Sequence, residues 1–191
     1  MIIVGMDSDA KKRVLEYSPN LPKSTIKHIN KYDKIELSEI KPEADEYGLF
    51  IVNQVKPYID KEYRTLTDRQ HTYIAGSSCG GNISIYLGFK YQEIFSVIGA
   101  FSPAYGVLKS DFFDFVKNVE IKETIKLYHD MGSHEAGKLS FLYLNDQKKF
   151  DKLIRAKIPT RNIAMVIDKD ALHNEFYWAK RFKYFYRFCL D

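Results

Sequence analysis

Short apolar runs rich in β-branched residues alternate along this chain with segments in which apolar residues recur every three or four positions. The short runs are typical of strands buried on both faces, and the periodic segments are typical of helices. This alternation predicts an α/β fold, in which a mostly parallel sheet carries helices on both faces. The predicted strands span residues 1–7, 71–75, 96–103, 125–132 and 162–168, and the predicted helices span residues 46–60, 81–91, 110–118, 140–155 and 174–189.

The last predicted helix carries an aromatic stripe. Trp178, Phe182, Phe185 and Cys189 fall on one face of it, which indicates packing against the core rather than a cofactor site. In the helix at 46–60, Pro57 is expected to produce a kink.

One long segment breaks the alternation. Residues 18–45 are polar, rich in lysine and contain three prolines. We predict that they form a surface excursion, because long segments without secondary structure lie on the surface and often serve as lids or binding loops. The length of 191 residues favours a single domain, residues 1–191, to which this excursion belongs.

The sequence IAGSSCGG, residues 74–81, joins the second predicted strand to the helix after it. Within it, Gly76, Ser78 and Gly80 match G-x-S-x-G, the nucleophile elbow of α/β-hydrolases, in which a sharp turn lifts a serine hydroxyl above the sheet. We expect both glycines to be needed because side chains there would clash with crowded backbone. The helix start adds a positive dipole end, and the N–H of Cys79 would point at an oxyanion formed when Ser78 attacks a carbonyl.

Two other interpretations of this turn are open. A glycine-rich connection between a strand and a helix can be tight for packing reasons alone. Cys79 could act as the nucleophile in a shifted register, but Ser77 would then occupy the position of the upstream glycine. The strand, turn and helix context favours Ser78.

A serine nucleophile requires a general base, and the chain has five histidines. His173 lies between the last predicted strand and the last predicted helix, on the sheet edge where a doubly wound fold presents its functional loops. A loop histidine without a function is the alternative. We expect His28, His71 and His129 to be surface or packing residues.

The acid of a triad would orient this base and stabilise its imidazolium. The loop after the strand 125–132 supplies Glu135. The chain order Ser78, Glu135, His173 is the order expected for α/β-hydrolases.

A metal site is the competing interpretation of the segment that contains Glu135. His129, Asp130, His134 and Glu135 are all metal-ligating residue types. The two histidines, however, are five positions apart across a strand end, whereas a helical zinc motif places them four apart. No metal and no cofactor are predicted.

Charge and composition exclude several classes of function. The formal net charge is +4 and the basic residues are scattered, so the chain lacks the basic stripe of a nucleic-acid-binding protein. No apolar run approaches the ~20 residues that span a bilayer, and the first residues do not resemble a signal peptide. The two cysteines form no disulfide framework, which suits a reducing compartment. We therefore expect a cytoplasmic protein that contacts neither nucleic acid nor membrane.

Four segments of the chain carry a family resemblance: IIVGMDSDAKKRVLEYSP, VKPYIDKEYRTLTDRQHTYIAGSSCGGNISIYLGFKYQEIFSVIGAFSPAY, YHDMGSHEAG and LHNEFYWAKRF. Together they resemble the putative esterase family of the α/β-hydrolases, which includes esterase D (S-formylglutathione hydrolase), enterochelin esterases and bacterial feruloyl esterases. The resemblance implies a serine carboxylesterase that uses Ser78 and His173, with Glu135 in the position of the acid. Some siderophore esterases work with a serine and histidine pair alone, which leaves the role of Glu135 open.

The chain departs from this family at its N-terminus. Members of the family begin with additional strands. The loop after one of these, the central strand, donates a second backbone N–H to the oxyanion. This chain opens on MIIVGMD, which resembles the strand after that loop, so we expect an N-terminally truncated hydrolase. The strand 71–75 would then expose unpaired backbone. Either residues 2–5 pair with it, or a second protein chain covers the edge, as in a homo-oligomer.

The sequence therefore predicts a serine carboxylic-ester hydrolase that forms an acyl-enzyme and acts on a small-molecule ester or thioester. The alternative is a catalytically impaired remnant of such an esterase that acts, if at all, as a binding or scaffold protein. Losing one oxyanion donor typically costs about 10²–10³ in turnover. The retained glycine turn and His173 favour the enzyme.

Overall fold

Four parallel strands form the centre of the fold. They were located in a computed structural model that describes residues 1–9, 12–19, 41–122 and 124–190, the side chains of residues 109 and 110 excepted. The strands are β1 (Tyr73–Ser77), β2 (Val97–Phe101), β3 (Lys126–Gly132) and β4 (Ile163–Asp168). They lie in the order β1-β2-β3-β4, and each neighbouring pair is parallel. Since parallel neighbours require crossovers, a helix lies between each strand and the next.

The helices largely follow the predicted positions. They are α1 (Arg13–Glu16), α2 (Ala44–Phe50), α3 (Lys56–Glu62), α4 (Cys79–Lys90), α5 (Tyr105–Asn118), α6 (Ser140–Arg155) and α7 (Glu175–Leu190). A π-helical turn, Ile51–Val55, joins α2 to α3, whose second residue is Pro57. Because proline has no N–H to donate, a departure from regular α-helix is expected at this point. Among the described residues, no helix is long and apolar enough to cross a membrane.

Helices cover both faces of the sheet, as predicted. Successive strand residues point to opposite faces. Ile98 and Leu127 pack with apolar residues of α4, α5 and α6 in the larger core cluster. Val97, Phe101 and Tyr128 pack on the other face with α7. The aromatic stripe of α7 belongs to this second cluster, so its interpretation as core is confirmed.

Residues 1–7 do not form the predicted strand. Residues 1–9 contain neither helix nor strand, and Ile2 and Ile3 are 48% and 68% exposed. In the described part of the chain β1 pairs only with β2, so the expectation that residues 2–5 pair with β1 is wrong here. Ile3 instead lines an open apolar groove with Phe101 of β2 and Trp178 of α7. The second expectation, that another chain covers this edge, stays a prediction.

The structure also differs from the prediction at the start of one helix and at the end of the predicted excursion. Helix α5 begins at Tyr105 rather than at 110, because Tyr105 and Leu108 are buried in the larger core cluster and extend the packed face toward the N-terminus. The excursion predicted at 18–45 lies mostly outside the described residues, which omit 20–40. Its last residues already belong to α2.

Candidate active site

Ser78 occupies a strained turn between β1 and α4. Its φ and ψ are 57° and −124°, a region that residues with a side chain rarely adopt. Such strain persists only where surrounding contacts hold the backbone. Here the Ser78 N–H donates to the carbonyl of Phe101 at 2.9 Å, and the Ser78 carbonyl accepts from the N–H groups of Gly81 (3.0 Å) and Ala104 (3.2 Å). The turn after β1 is thereby tied to the end of β2.

The glycines around Ser78 differ in whether a side chain could be accommodated at their positions. A Cβ on Gly76 would clash with the carbonyl of Gly80, which confirms the crowding expected there. A Cβ on Gly80 would meet nothing within 4 Å outside its own helix, so the same expectation is wrong for Gly80. The second close approach is at Gly81, where a Cβ would lie 3.3 Å from the Cα of Pro103. The backbone of Gly80 packs tightly against the strand end, but a side chain at position 80 would point into open space.

The structure brings Ser78, His173 and Glu135 together. The Oγ of Ser78 lies 2.9 Å from Nε2 of His173, and Nδ1 of His173 lies 2.8 Å from Oε2 of Glu135. The His173 side chain is 26% exposed, whereas that of Glu135 is fully buried. The imidazole ring meets Trp178 edge-on, with 5.0 Å between ring centroids. One hydrogen-bonded chain thus runs from a strained serine through a partly exposed histidine to a buried carboxylate.

The loops after β3 and β4 hold the histidine and the acid side by side. The N–H of Ser133 donates to the carbonyl of Asp168 at 2.9 Å, and that of His134 donates to the carbonyl of Ala171 at 3.0 Å. A Cβ on Gly132 would clash with the Ala171 carbonyl, so glycine allows the two loops to approach. Because β3 and β4 are neighbouring parallel strands, both loops leave the same edge of the sheet.

A buried cation lies behind the acid. Arg181 of α7 is 1% exposed and is surrounded by three carboxylates. Its Nε lies 3.0 Å from Asp130 as an ion pair without an aligned hydrogen bond, its Nη1 is 3.4 Å from Asp168, and its Nη2 is 3.6 Å from Glu135. Burial by itself lowers the pKa of Arg181, but Asp130, Glu135 and Asp168 together outweigh it, and the pKa lies above its ordinary value. Burial raises the pKa of Asp130, against the opposing attraction of Arg181.

Three residues that the sequence pattern did not single out contact Glu135: Gly132, Ser102 and Arg181. The Gly132 N–H donates to Oε1 at 2.5 Å, and the Ser102 hydroxyl donates to the same oxygen. Two features of the sequence could have drawn attention to Ser102 and Arg181, although neither feature shows a contact with Glu135. Ser102 directly follows β2, at the sheet edge that holds Ser78, and Arg181 is a charged residue three positions after Trp178 on the apolar stripe of α7.

The other described histidines lie elsewhere. His71 is about half exposed and pairs with Asp68 at 2.8 Å. His129 is buried between Asp151 (3.1 Å) and Gln147 (2.9 Å) of α6, and these contacts confirm that it is a packing residue. His28 lies outside the described residues.

The four side chains weighed as metal ligands diverge. His129 faces α6, and Asp130 faces Arg181 on the opposite side of the sheet. His134 lies near Asp170 on the surface, and Glu135 turns to His173.

Comparison with known proteins assigns the chain to a family. A family model described as "Putative esterase" matches residues 23–185. The Bacillus subtilis protein named "Uncharacterized protein YbbA" is 25% identical over 136 residues, which cover 69% of this chain and 54% of YbbA. A ferulic acid esterase of known structure is 21% identical with a TM-score of 0.61, over 75% of this chain and 59% of that one. For the enterochelin esterase of Shigella flexneri the identity is 16% and the TM-score 0.62, over 73% and 35% of the two chains.

The two structural likenesses concern the fold, which is of the α/β-hydrolase type. The chain spans just over half the length of YbbA and of the ferulic acid esterase. The family model covers most of the chain and includes Ser78, Glu135 and His173. The chain therefore belongs to the putative esterase family.

Proposed function

We propose that this protein is a serine carboxylic-ester hydrolase with Ser78 as nucleophile, His173 as general base and Glu135 as the acid that orients it. The observation that carries the proposal is the pair of hydrogen bonds of His173, 2.9 Å to Ser78 and 2.8 Å to Glu135. In such a hydrogen-bonded triad, one imidazole nitrogen of the base faces the nucleophile and the other faces the acid. The acid thereby keeps the imidazole ring in the tautomer that can accept the proton of the nucleophile. The family of the chain supports the same reaction class.

The reaction proceeds in two halves. Ser78 attacks the ester carbonyl while Nε2 of His173 takes its proton, and the N–H of Cys79, the first residue of α4, faces the developing oxyanion. His173 then returns the proton to the leaving alcohol or thiol, and an acyl-enzyme remains on Ser78. In the second half His173 takes a proton from water, which attacks the acyl group; the bond to Ser78 then breaks, His173 returns the proton to the serine oxygen, and the carboxylic acid leaves. The substrate class is a small-molecule ester or thioester.

The test compares p-nitrophenyl acetate hydrolysis by the wild-type protein and by Ser78→Ala. We expect the variant to lose the catalysed rate by a factor on the order of 10⁴ or more, because the nucleophile is gone. Ser77→Ala is the matched control, since it removes the neighbouring hydroxyl one position earlier. A fluorophosphonate probe should label the wild type and the control but not Ser78→Ala.

Two outcomes would count against the proposal. Equal rates for the wild type and Ser78→Ala would favour the impaired remnant, in which the fold persists without useful turnover. Labelling that survives in Ser78→Ala but disappears in Cys79→Ala would favour the thiol as nucleophile.

A further inference from the structure

The two carboxylate oxygens of Glu135 have different partners. Oε2 faces Nδ1 of His173 at 2.8 Å. Oε1 accepts from the Gly132 N–H at 2.5 Å and from the Ser102 hydroxyl, and Arg181 lies 3.6 Å away. The carboxylate is fully buried, so these groups replace the water that would otherwise solvate it. Because the partners of Oε1 prevent the carboxylate of Glu135 from rotating, they also keep Oε2 directed at Nδ1 of His173.

The contacts of Ser102 determine where its hydroxyl proton points. Its Oγ lies 2.9 Å from Nε1 of Trp178 and 2.7 Å from Nη2 of Arg181. Indole and guanidinium nitrogens can only donate, so both use the oxygen of Ser102 as acceptor. A hydroxyl has one proton, and the remaining partner is Oε1 of Glu135. The two donors from α7 therefore direct this proton to the acid.

The backbone of Ser102 is strained, like that of Ser78. Its φ is 44° and the residue is completely buried. Its N–H donates to both the carbonyl (3.1 Å) and Oδ1 (3.0 Å) of Asp130. A serine in the left-handed region costs energy that a glycine would not, and such residues cluster where geometry serves function. In this conformation the hydroxyl reaches three partners from two different elements.

We propose that Ser102 is a positioning residue for Glu135, and that Trp178 and Arg181 set the direction of its hydroxyl. This inference rests on the proposed function, because Glu135 matters only if His173 acts as a base. Ser102 touches no reacting atom and works through the acid alone. Its removal should lower kcat about tenfold and leave KM unchanged, since a misaimed acid weakens the transition state more than substrate binding.

The experiment uses Ser102→Ala with Ser96→Ala as control. Ser96 precedes β2 as Ser102 follows it, is also buried, and donates its hydroxyl to a backbone carbonyl, that of Gln70, at 3.2 Å. We expect the control to keep the wild-type kcat. Ser102→Gly is the second variant, because glycine accepts the positive φ and keeps the test valid if the alanine protein folds poorly.

A double-mutant cycle separates positioning from general damage. In a Glu135→Gln background the Ser102→Ala substitution should cost almost nothing, since the group through which it acts has been replaced. A loss of the same size in both backgrounds, or an unchanged kcat in Ser102→Ala and Ser102→Gly, would overturn the proposal.

A readout that does not depend on turnover distinguishes this proposal from the proposed function. The Nδ1–H of His173 should give a low-field proton resonance in ¹⁵N-histidine-labelled protein, assigned by its loss in His173→Gln. We expect it to shift or broaden in Ser102→Ala and to stay in place in Ser96→Ala. An unmoved resonance in Ser102→Ala contradicts positioning, whereas a wild-type protein without Ser78-dependent turnover contradicts the esterase.

Discussion

Two of the histidine–carboxylate pairs in the described residues, one in the candidate site and one in the core, resemble each other in distance and in aromatic packing. His173 and Glu135 are separated by 2.8 Å, and His129 and Asp151 by 3.1 Å. Both imidazole rings also pack edge-on against an aromatic ring, His173 on Trp178 and His129 on Phe150. The pair of side chains is therefore not what distinguishes a candidate catalytic site from a structural contact.

The two pairs differ in what the second ring nitrogen meets. In His173 it lies 2.9 Å from the hydroxyl of Ser78, at the edge of the sheet where the ring is partly exposed. In His129 it lies 2.9 Å from the amide nitrogen of Gln147, in the middle of β3 with the ring fully buried. A substrate can approach the first ring, whereas α6 covers the second. Access and a nucleophile, rather than the acid, make a histidine useful to a reaction.

The sharpest test of this comparison substitutes each histidine by glutamine. His173→Gln should lower kcat/KM by a factor on the order of 10⁴, because the base is lost, whereas His129→Gln should stay within about twofold. The measurement is p-nitrophenyl acetate hydrolysis per folded molecule, with circular dichroism as the control for folding. Equal losses in both variants would mean that the buried pair also supports the reaction.

Substitution of the buried histidine should lower the stability of the fold more than substitution of His173. His129→Ala leaves a cavity in the core and removes the partner of Gln147 and Asp151, so the free energy of unfolding should fall by about 3 kcal/mol. His173→Ala should change it by less than about 1 kcal/mol, because water can reach the site. Urea unfolding curves with equal slopes measure both values. A larger loss for His173→Ala would reverse the assignment of the two roles.

The smallest effect concerns pH. The hydrogen bond from His129, with help from Arg155, holds the pKa of Asp151 at about 2. Since an unfolded aspartate titrates near pH ~3.9, the stabilisation is complete above about pH 4 and is lost as the pH falls toward about 2. Asp151→Asn should therefore be less stable by about 1 kcal/mol at neutral pH, and the difference from wild type should vanish between about pH 4 and about pH 2. Urea midpoints measured from neutral to acidic pH give this difference.

Asp146 on the same helix is the matched control, because burial raises its pKa instead. Asp146→Asn should give the opposite sign, with a variant at least as stable as wild type above the normal aspartate range. A difference that stays constant with pH in Asp151→Asn would show that Asp151 stabilises by packing rather than by charge.

Much of the fold followed from patterns that are local in sequence. The strand before Ser78, the helix after it and the stripe of α7 were predicted because period and turn chemistry depend on neighbouring residues. The predicted strand at 1–7 failed for a non-local reason. An apolar β-branched run indicates the capacity to form a strand, but the strand forms only where a partner edge is adjacent, and Ile2 and Ile3 have none.

In the candidate site too, some residues could be predicted from local sequence patterns and others could not. Residue types and chain order nominated Ser78, Glu135 and His173, because each follows a strand whose end lies on one edge of a parallel sheet. Nothing local nominated Ser102 or Arg181 as neighbours of Glu135, since they come from the end of β2 and from α7, 33 and 46 positions away.

The sequence by itself determined the order of the four strands from residue 73 onward and of the helices between them, the strained turn at Ser78 and the edge at which the polar side chains meet, because these depend on short-range sterics and on strand direction. The tertiary structure decided which of two histidine–acid pairs faces a hydroxyl, and which donors hold the carboxylate behind it. Hydrogen bonds form over a few ångströms in space, and residues far apart in the chain reach that distance only when the sheet and helices have packed.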